Sequence, residues 1–154
     1  MQVGAATPAD LARLLPLIAD YQGFYAGRPR GDDHNAAFFG RFIAPSAHGM
    51  IIGAFEDAAG EPPAGYACLY WTFSSVSATD VVLLNDLYVR PERRGGGVGE
   101  ALLAAAVQVS RDRGASHVRW FTSTDNHAAQ RLYERVGAQR SAWFEYEIQT
   151  ASPR

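Results

Sequence analysis

Lysine is absent from this chain of 154 residues, and all 14 basic residues are arginine. A Schiff-base mechanism and a Walker-type phosphate loop both need a lysine, so the sequence excludes both. Cysteine is nearly absent as well, and with Cys68 alone no disulfide can form within the chain. Cys68 lies in the apolar stretch YACLYW, which predicts a buried strand residue. A single thiol favours a reducing, cytoplasmic location.

Long hydrophobic runs and a strong net charge are also missing. No apolar stretch approaches the ~20 residues of a membrane-spanning helix, so we expect no membrane partner. The formal net charge of -2 gives no attraction to nucleic acid, and no nucleic-acid partner is expected. The histidines show no paired ligand spacing, so no metal site is predicted. The chain has 47% hydrophobic and 12% aromatic residues, which is typical of a globular domain.

The hydrophobic pattern predicts one mixed α/β domain over residues 1–150, with a loose tail at 151–154. The predicted order is helix 7–25, helix 35–44, strands 48–57, 64–77 and 79–89, helix 98–112, strand 116–123, helix 124–138 and strand 141–150. Strand 79–89 is apolar on both faces, which is typical of a central strand. The strand–helix–strand crossover that follows implies a parallel pair of strands.

Four glycines in five positions stand at the junction between strand 79–89 and helix 98–112: Gly95, Gly96, Gly97 and Gly99. The first N–H groups of a helix have no intrahelical partner, and together with the helix dipole they attract an anion. Bare backbone lets a phosphate approach without a Cβ in the way. The guanidinium groups of Arg93 and Arg94 suit phosphate oxygens. The segment therefore predicts a diphosphate cradle, and the alternative is a merely flexible turn.

Known phosphate loops can be compared with this segment. The Walker and Gly-x-Gly-x-x-Gly patterns both fail, because residue 100 is glutamate and residue 102 is leucine. The run from Arg94 to Gly99 meets Arg/Gln-x-x-Gly-x-Gly/Ala and resembles the acyl-CoA pyrophosphate loop of the GNAT superfamily of N-acetyltransferases. Downstream, the run from Asn126 to Tyr133 matches that family's Asn-x-x-Ala-x-x-x-Tyr. The resemblance extends over about 81–139, with both motifs in the expected order.

The resemblance implies the acyl-CoA N-acyltransferase fold. That fold has a central mixed, largely antiparallel sheet with a parallel pair around 81–123, flanked by helices. It also implies acetyl-CoA as cosubstrate and direct transfer to a bound amine, with no covalent enzyme intermediate. Backbone groups of Leu87 and Val89 are expected to pair with pantetheine. The residues expected to bind the cosubstrate are Leu87, Tyr88, Val89, Arg93, Arg94, Gly95, Gly96, Gly97, Val98, Gly99, Asn126, Ala129 and Tyr133.

Protonation of the departing thiolate is the role that the resemblance assigns to Tyr133. A phenol with a pKa near ~10 stays protonated at pH 7 and can donate to a thiolate. The alternative for Tyr133 is a core tyrosine near the end of its helix. Asn126 can hydrogen-bond a pantetheine amide, cap its helix, or do both.

The acceptor amine must lose a proton before it can attack. Holding an alkylammonium of pKa ~10.4 neutral at pH 7 costs roughly 4.6 kcal/mol, so a base is needed. Asp86, a carboxylate in an otherwise apolar strand, is the predicted general base. Relatives resembling diamine acetyltransferases carry Glu-Asp where this chain has Asn85-Asp86, and Asn85 cannot act as a base. The alternatives are a structural role for Asp86 and a water chain ending on Asp86, Asp80 or Glu145.

The sequence defines the acceptor amine less closely than it defines the cosubstrate. LNDLYVRPERRGGGVGEALL and AWFEYEI resemble the diamine and thialysine acetyltransferase branch. The candidates for holding a cationic amine are Tyr21, Phe24, Tyr25, Asp32 and Asn85, although Tyr21, Phe24, Tyr25 and Asp32 equally fit a core-facing helix end with an acidic loop. A polyamine or diamine, an amino acid, an aminoglycoside-like amine and a protein amine all stay open. Strand 141–150 is apolar enough to pair across a homodimer. The alternative function is a non-catalytic acyl-CoA-binding or sensor domain.

Overall fold

The computed structural model describes residues 1–56 and 60–150. Contacts divide the chain into two units, residues 1–121 and 122–154. The first unit contains five strands: β1 (Gln2–Ala5), β2 (Gly49–Phe55), β3 (Gly65–Ser74), β4 (Thr79–Val89) and β5 (Val118–Arg119). It also contains the helices α1 (Pro8–Ala26), α2 (Asp32–Phe39) and α3 (Val98–Asp112). In the described part of the second unit the regular element is α4 (His127–Arg135).

The five strands form one mixed sheet in the order β1-β2-β3-β4-β5. The first four strands are antiparallel neighbours, and α3 carries the chain to β5, which pairs parallel with β4. The predicted central position of 79–89 and the predicted parallel pair are therefore confirmed. β5 is much shorter than the predicted strand 116–123, because it pairs with β4 only at Val82 and Leu83. A register irregularity of β4 against β3 begins two residues later, at Asn85.

The two faces of the sheet are covered by different helices. Residues of α1 and α2 pack with Tyr66 and Cys68 of β3 in one cluster, together with Ala6, Leu14, Leu17, Ile18, Phe39, Phe42 and Ile51. Gly65 points to the opposite face of β3, where a Cβ would lie 3.3 Å from Leu102 of α3. Glycine is required at position 65 because a Cβ there would also come within 2.5 Å of the Tyr88 carbonyl. β3 and β4 are thus the layer between the two cores.

Helix α1 begins where the sequence predicts. Thr7 is its N-cap, and the Asp10 carboxylate accepts from the Thr7 backbone N–H at 3.0 Å. The Asp10 backbone N–H returns a bond to Thr7 Oγ1 at 3.4 Å, which completes a capping box. Pro16 lies inside the helix without ending it. Within the described residues, no helix is both long and apolar enough to cross a membrane.

Several predicted elements need correction. β1 was not predicted, since four residues give too short a pattern to recognise. Helix 35–44 is displaced: α2 covers Asp32–Phe39, and a single 3-10 turn follows at Gly40–Phe42. The predicted helix 124–138 spans only His127–Arg135. The tail at 151–154, Asp57 of strand 48–57 and part of the turn before β3 lie outside the described residues.

The predicted final strand is wrong, because residues 138–150 form no strand. Its aromatic and β-branched residues fit a strand by composition, but β-propensity measures the fit to a half-buried pleated surface and not a preference of the backbone itself. Among the described residues, no strand pairs with residues 141–150. Trp143 and Tyr146 are 87% and 90% exposed. A strand pattern therefore misleads where no neighbouring strand is paired with it.

Candidate active site

A β-bulge in β4 sets the direction of the candidate base. Cys68 of β3 lies opposite Asp86, but the next residue, Leu69, lies opposite Leu84, so Asn85 is an extra residue in β4. Such a bulge leaves one residue unpaired and re-aims its neighbours. Asn85 is exposed, and Asp86 is buried on the same face as Tyr66 and Cys68. Asn85 therefore stands at the exposed end of a pair of polar side chains whose other member, Asp86, is buried.

Asp86 is only 6% exposed and is held by two hydrogen-bond donors. Asn85 Nδ2 donates to Asp86 Oδ1 at 2.9 Å, and the Tyr21 hydroxyl of α1 also bonds the carboxylate. Burial raises the pKa of Asp86 to about 6, although the bonds from Asn85 and Tyr21 oppose the rise. A carboxyl group with this pKa is ionised at pH 7 and still close enough to neutrality to take up a proton.

Tyrosine rings surround this carboxylate. The ring of Tyr21 meets the rings of Tyr66 and Tyr88 edge-on, with centroids 6.2 and 6.3 Å away. Tyr66 is fully buried, and among the described residues its hydroxyl has no hydrogen-bond partner. Burial and then the charge of Asp86 raise the pKa of Tyr66 well above its usual value, so the hydroxyl keeps its proton. A buried hydroxyl without a partner costs about 1–3 kcal/mol, so a bound water or ligand that bonds Tyr66 would recover that cost.

A second chain of polar contacts runs outward from Asp86 along β3. Asn85 Nδ2 also donates to the Tyr70 hydroxyl at 3.2 Å, and the Tyr70 hydroxyl donates to the Cys68 sulfur. Burial raises the pKa of Cys68 well above its usual value, the nearby charge of Asp86 adds to the rise, and the bond from Tyr70 only partly offsets it. Cys68 is therefore a neutral thiol at pH 7, which suits the predicted buried strand residue and not a nucleophile.

Beyond the bulge, no described strand of the first unit pairs with the far edge of β4. Arg90 N–H donates to Ala64 O at 3.0 Å, and bonded and non-bonded pairs alternate along an antiparallel ladder. Leu87 and Val89 therefore turn their N–H and C=O groups away from β3. Among the described residues of the first unit, β5 pairs with β4 only as far as Leu83. An extended ligand could add to this edge as a strand would.

The glycine segment forms the turn that enters α3. Gly95 has φ +77° and Gly97 has φ +82°, a left-handed conformation that favours glycine. Gly97 is the N-cap of α3 and offers no side-chain bond, and the first intrahelical bond is Ala101 N–H to Gly97 O at 2.9 Å. Val98 is buried beneath this turn, so it can offer a ligand only its backbone. The free N–H groups and the dipole of α3 make this end of the helix positive.

The two arginines before the glycines are already engaged. Arg94 Nε donates to the Val89 carbonyl at 3.0 Å, which ties the turn to the end of β4. Arg93 pairs with Glu56, the residue that follows β2. Arg94 therefore keeps its terminal N–H groups for a phosphate, whereas Arg93 would have to share or exchange its carboxylate partner.

The predicted acceptor residues are only partly brought together. Tyr21 and Asn85 both bond Asp86, as described above. Tyr25 continues from Tyr21 along α1, with ring centroids 4.9 Å apart, and Phe24 lies 4.9 Å from Tyr25 with 70% of its surface exposed. Asp32 stands in the exposed first turn of α2. The contacts thus join Tyr21 and Asn85 to Asp86 and leave Asp32 without such a link.

The second unit holds the other motif. Asn126 is the N-cap of α4, and its Oδ1 accepts from the Ala129 backbone N–H at 3.2 Å. The predicted capping role of Asn126 is therefore confirmed. Tyr133 lies half-buried on the same helix, two residues before its end. Its carbonyl accepts from Ala138 N–H at 2.9 Å, beyond the left-handed Gly137.

Comparison with known proteins shows the family to which this chain belongs. The model of the acetyltransferase (GNAT) family matches residues 14–138, which include both motifs completely and every strand of the sheet except β1. The chain belongs to the GNAT acetyltransferase family. It is therefore an acyl-CoA-dependent N-acetyltransferase with a mixed α/β fold, as the resemblance in the sequence implied.

Proteins similar to this acetyltransferase are themselves named as N-acetyltransferases. It is 35% identical over 144 residues to the uncharacterized N-acetyltransferase YhfO of Bacillus subtilis, covering 94% of this chain and 93% of that one. It is 32% identical over 93 residues to the thialysine N-epsilon-acetyltransferase of Bos taurus (58% and 54%). It is 32% identical over 134 residues to the D-amino-acid N-acetyltransferase HPA3 of Saccharomyces cerevisiae (87% and 82%). A crystal structure of a probable acetyltransferase covers both chains completely with a TM-score of 0.84 at 32% identity.

The turn that enters α3 fits the diphosphate of an acyl-CoA. The left-handed backbone at Gly95 and Gly97 accounts for glycine at those two positions. Gly96 is different, because its φ is ordinary and an added Cβ would meet only the Arg93 carbonyl at 3.5 Å. The protein's own packing therefore does not demand glycine at 96, and a ligand that touches the backbone would. In the part of the chain that the structure describes, no group of three acidic, histidine or cysteine residues could hold a metal.

Sequence reasoning missed two residues of the acetyltransferase's site, Tyr66 and Tyr70. Both lie on the Asp86 side of β3, spaced by two from Cys68. The signal was available in the alternation of YACLY, which places polar atoms on one face of an apolar strand. The bulge at Asn85 had no such signal, since it is visible only in the register of β3 against β4.

Proposed function

We propose that this acetyltransferase moves the acetyl group of acetyl-CoA directly to the primary amine of a small molecule, with Asp86 as the general base. In the net reaction a bond forms between the amine nitrogen and the acetyl carbon, and the carbon–sulfur bond of the thioester breaks. The nitrogen loses a proton and coenzyme A leaves as a thiol. The observation that carries the proposal is Asp86, buried among tyrosines and held by two donors at a bulge next to the far edge of β4.

Asp86 would act on the acceptor in two ways. Above pH 6 its negative charge attracts an ammonium group into a largely apolar surround, where desolvation lowers the pKa of that ammonium. Its carboxylate then accepts the proton, directly or through one water. General-base catalysis of this kind contributes typically ~10²–10⁴-fold. The bonds from Asn85 and Tyr21 keep the carboxylate oriented for this step.

Cosubstrate binding is proposed for the segment from Leu87 to Gly99. Leu87 and Val89 would present backbone groups to the pantetheine arm, and Tyr88 would flank it. The turn from Arg93 to Gly99 would hold the diphosphate by its N–H groups and arginines. Acetyl-CoA supplies the activated acetyl group.

A general acid is proposed at Tyr133. Support comes from the motif that runs from Asn126 through Ala129 to Tyr133, and from the chemistry of a phenol that stays protonated at pH 7. Asn126 caps α4 in this proposal and so orients the helix that carries Tyr133. The alternative, a purely structural tyrosine, predicts no effect on turnover when its hydroxyl is removed.

A small-molecule acceptor is supported by the relatives. The Bos taurus relative is named for the ε-amine of thialysine and the Saccharomyces cerevisiae relative for D-amino acids. The cytoplasmic location, the pairing of two copies and the lack of a nucleic-acid partner stay predictions.

The test combines binding and turnover. The melting temperature of the purified chain is measured with acetyl-CoA, NAD and ATP, and release of free thiol is then followed with a panel of amines. We expect stabilisation by acetyl-CoA and turnover with at least one small amine. Stabilisation by acetyl-CoA with no turnover on any amine would favour the binding or sensor domain instead. Stabilisation by NAD or ATP alone would contradict both functions.

A further inference from the structure

The positively charged guanidinium of Arg41 lies near two aromatic rings. It lies in the 3-10 turn that follows α2, and its guanidinium carbon is 5.3 Å from the centre of the Phe38 ring and 5.8 Å from that of Phe42. A guanidinium near aromatic rings can still use its N–H groups for hydrogen bonds, because the attraction to the rings does not occupy them. Among the described residues, no carboxylate lies within ion-pair distance of Arg41. An exposed arginine without a carboxylate partner is suited to a carboxylate from outside the chain.

One of these two rings, that of Phe42, connects Arg41 to the candidate base through a series of contacts. Phe42 stacks on Tyr70 with centroids 4.9 Å apart and planes inclined by 26°. The Tyr70 hydroxyl accepts from Asn85, and Asn85 donates in turn to Asp86. The charge of Arg41 also acts at Tyr70, where it lowers a pKa that burial, the largest influence, raises. Arg41 therefore lies on the side of β3 and β4 where Asp86 is found.

We infer that Arg41 binds a carboxylate of the acceptor, so that the acceptor is an amino acid or a similar amine with an anionic group. This inference rests on the proposed function, because it needs the acceptor amine at Asp86. Asp86 and Arg41 would then offer charges of opposite sign to the two charges of an amino acid. A diamine would instead bring a second ammonium towards Arg41, where like charges repel. The arginine thus selects among the amine classes that the sequence left open.

Matched substrates test the inference directly. Lysine is compared with pentane-1,5-diamine, and phenylalanine with 2-phenylethylamine, because each pair differs only by the carboxylate. Both enantiomers of each amino acid are used. We expect the carboxylate-bearing member of at least one pair to have a kcat/KM about tenfold or more higher, since a charge-assisted bond to arginine is lost in its partner. Mass spectrometry identifies the acetylated product.

Variants of Arg41 separate this role from a structural one. Arg41→Gln should abolish the preference mainly by raising KM for the amino acid, and Arg41→Lys should restore part of it. The control is Arg113→Gln, because Arg113 also packs its guanidinium on a ring, 3.7 Å from the centre of Trp71, but at the end of α3. Arg113→Gln should leave the preference unchanged. Melting temperatures show whether each variant is folded.

The failures of the two proposals differ in outcome. If the decarboxylated amines are acetylated as well or better, or if Arg41→Gln lowers kcat/KM for both members of a pair alike, the carboxylate role of Arg41 is wrong and the proposed function stands. If acetyl-CoA binds but no amine of either class is acetylated, the small-amine function is wrong, and the inference on Arg41 fails with it.

Discussion

The side-chain amide of Asn85 donates to Asp86 Oδ1 at 2.9 Å, although neighbours along a regular strand point to opposite faces. The bulge in β4 makes this contact geometrically accessible, because it leaves Asn85 unpaired and free to fold back. An asparagine cannot itself accept the amine's proton, and here it serves the carboxylate beside it. The departure from a Glu-Asp pair therefore does not remove the base, and it changes how that base is held.

The first prediction concerns the base itself. Asp86→Asn keeps the size of the side chain and removes its proton affinity, so kcat/KM for the amine should fall by roughly 10²–10⁴-fold with acetyl-CoA affinity unchanged. The measurement is thiol release together with calorimetric binding of acetyl-CoA. Asp80→Asn is the matched control, because Asp80 lies exposed at the start of the same strand. A fully active Asp86→Asn variant would show that the proton leaves by another route.

The second prediction is that Asp86→Asn makes the protein more stable at pH 7.5. Folding raises the pKa of Asp86 from 3.8 to about 6, so the folded state binds this proton more tightly than the unfolded state. That contribution is complete below about pH 4 and is lost as the pH rises through 6. Burying the ionised form at pH 7.5 therefore costs on the order of 3 kcal/mol, from about 2 pKa units at 1.36 kcal/mol each.

Urea unfolding at pH 4 and pH 7.5 measures this gain. Asp86→Asn should be the more stable protein at pH 7.5, and the difference from the unsubstituted protein should shrink towards pH 4. Asp80→Asn should follow the unsubstituted protein at both values. If Asp86→Asn is the less stable protein at pH 7.5, the carboxylate contributes more through its hydrogen bonds than burial costs it.

Tyr21 should tune the pH dependence of catalysis. Its hydroxyl bonds the Asp86 carboxylate, so Tyr21→Phe removes a bond that favours the charged form and raises the pKa of Asp86 further. The acidic limb of the kcat/KM profile should move to higher pH by about 0.5–1 unit, the equivalent of one hydrogen bond of ~1 kcal/mol. Tyr25→Phe changes the next ring along α1 and should leave the limb in place. An unchanged limb in Tyr21→Phe would limit Tyr21 to packing.

The sequence predicted the centre of this fold better than its margins. β4 and α3 were assigned to the residue, because one is apolar on both faces and the other has a clear amphipathic stripe ended by left-handed Gly114. β1 and the segment after Ala138 failed for opposite reasons. β1 has too few residues to show a period, whereas 141–150 shows strand composition without the pairing that makes a strand.

The site divides in the same way. Local features such as the glycine turn and Asp86 could be found from residue types and spacing alone. The contact between the tyrosines around Asp86 could not, because Tyr21 comes from α1 and Tyr66 from β3, far apart in the chain. Arg41 was missed for a related reason. Its meaning depends on Phe42 stacking against Tyr70, which only the tertiary structure shows.

A pair of glycine substitutions tests the diphosphate cradle. Gly97 and Gly114 both have positive φ, and a Cβ at either would meet nothing within 4 Å. Alanine at either position should therefore cost about 1 kcal/mol of backbone strain and lower the melting temperature by a few degrees. Only Gly97→Ala should also weaken acetyl-CoA binding, by about tenfold or more, since its methyl group would face the phosphates. Equal affinities in the two variants would place the diphosphate elsewhere.

Substitution of Tyr133 separates an effect on the acetyl transfer step from an effect on acetyl-CoA binding. Tyr133→Phe removes one oxygen and keeps the ring, so α4 should stay folded and acetyl-CoA affinity should change little. If the hydroxyl protonates the departing thiolate, kcat should fall by roughly 10²-fold or more, in line with the loss of a general acid. The fall should be smaller for an acetyl donor whose leaving thiol has a lower pKa, because such a thiolate departs without a proton. Tyr146→Phe, at an exposed position of the same unit, is the control. Unchanged turnover would mean that Tyr133 has a structural role only, and an equal loss with every donor would mean that its hydroxyl takes no part in the proton transfer.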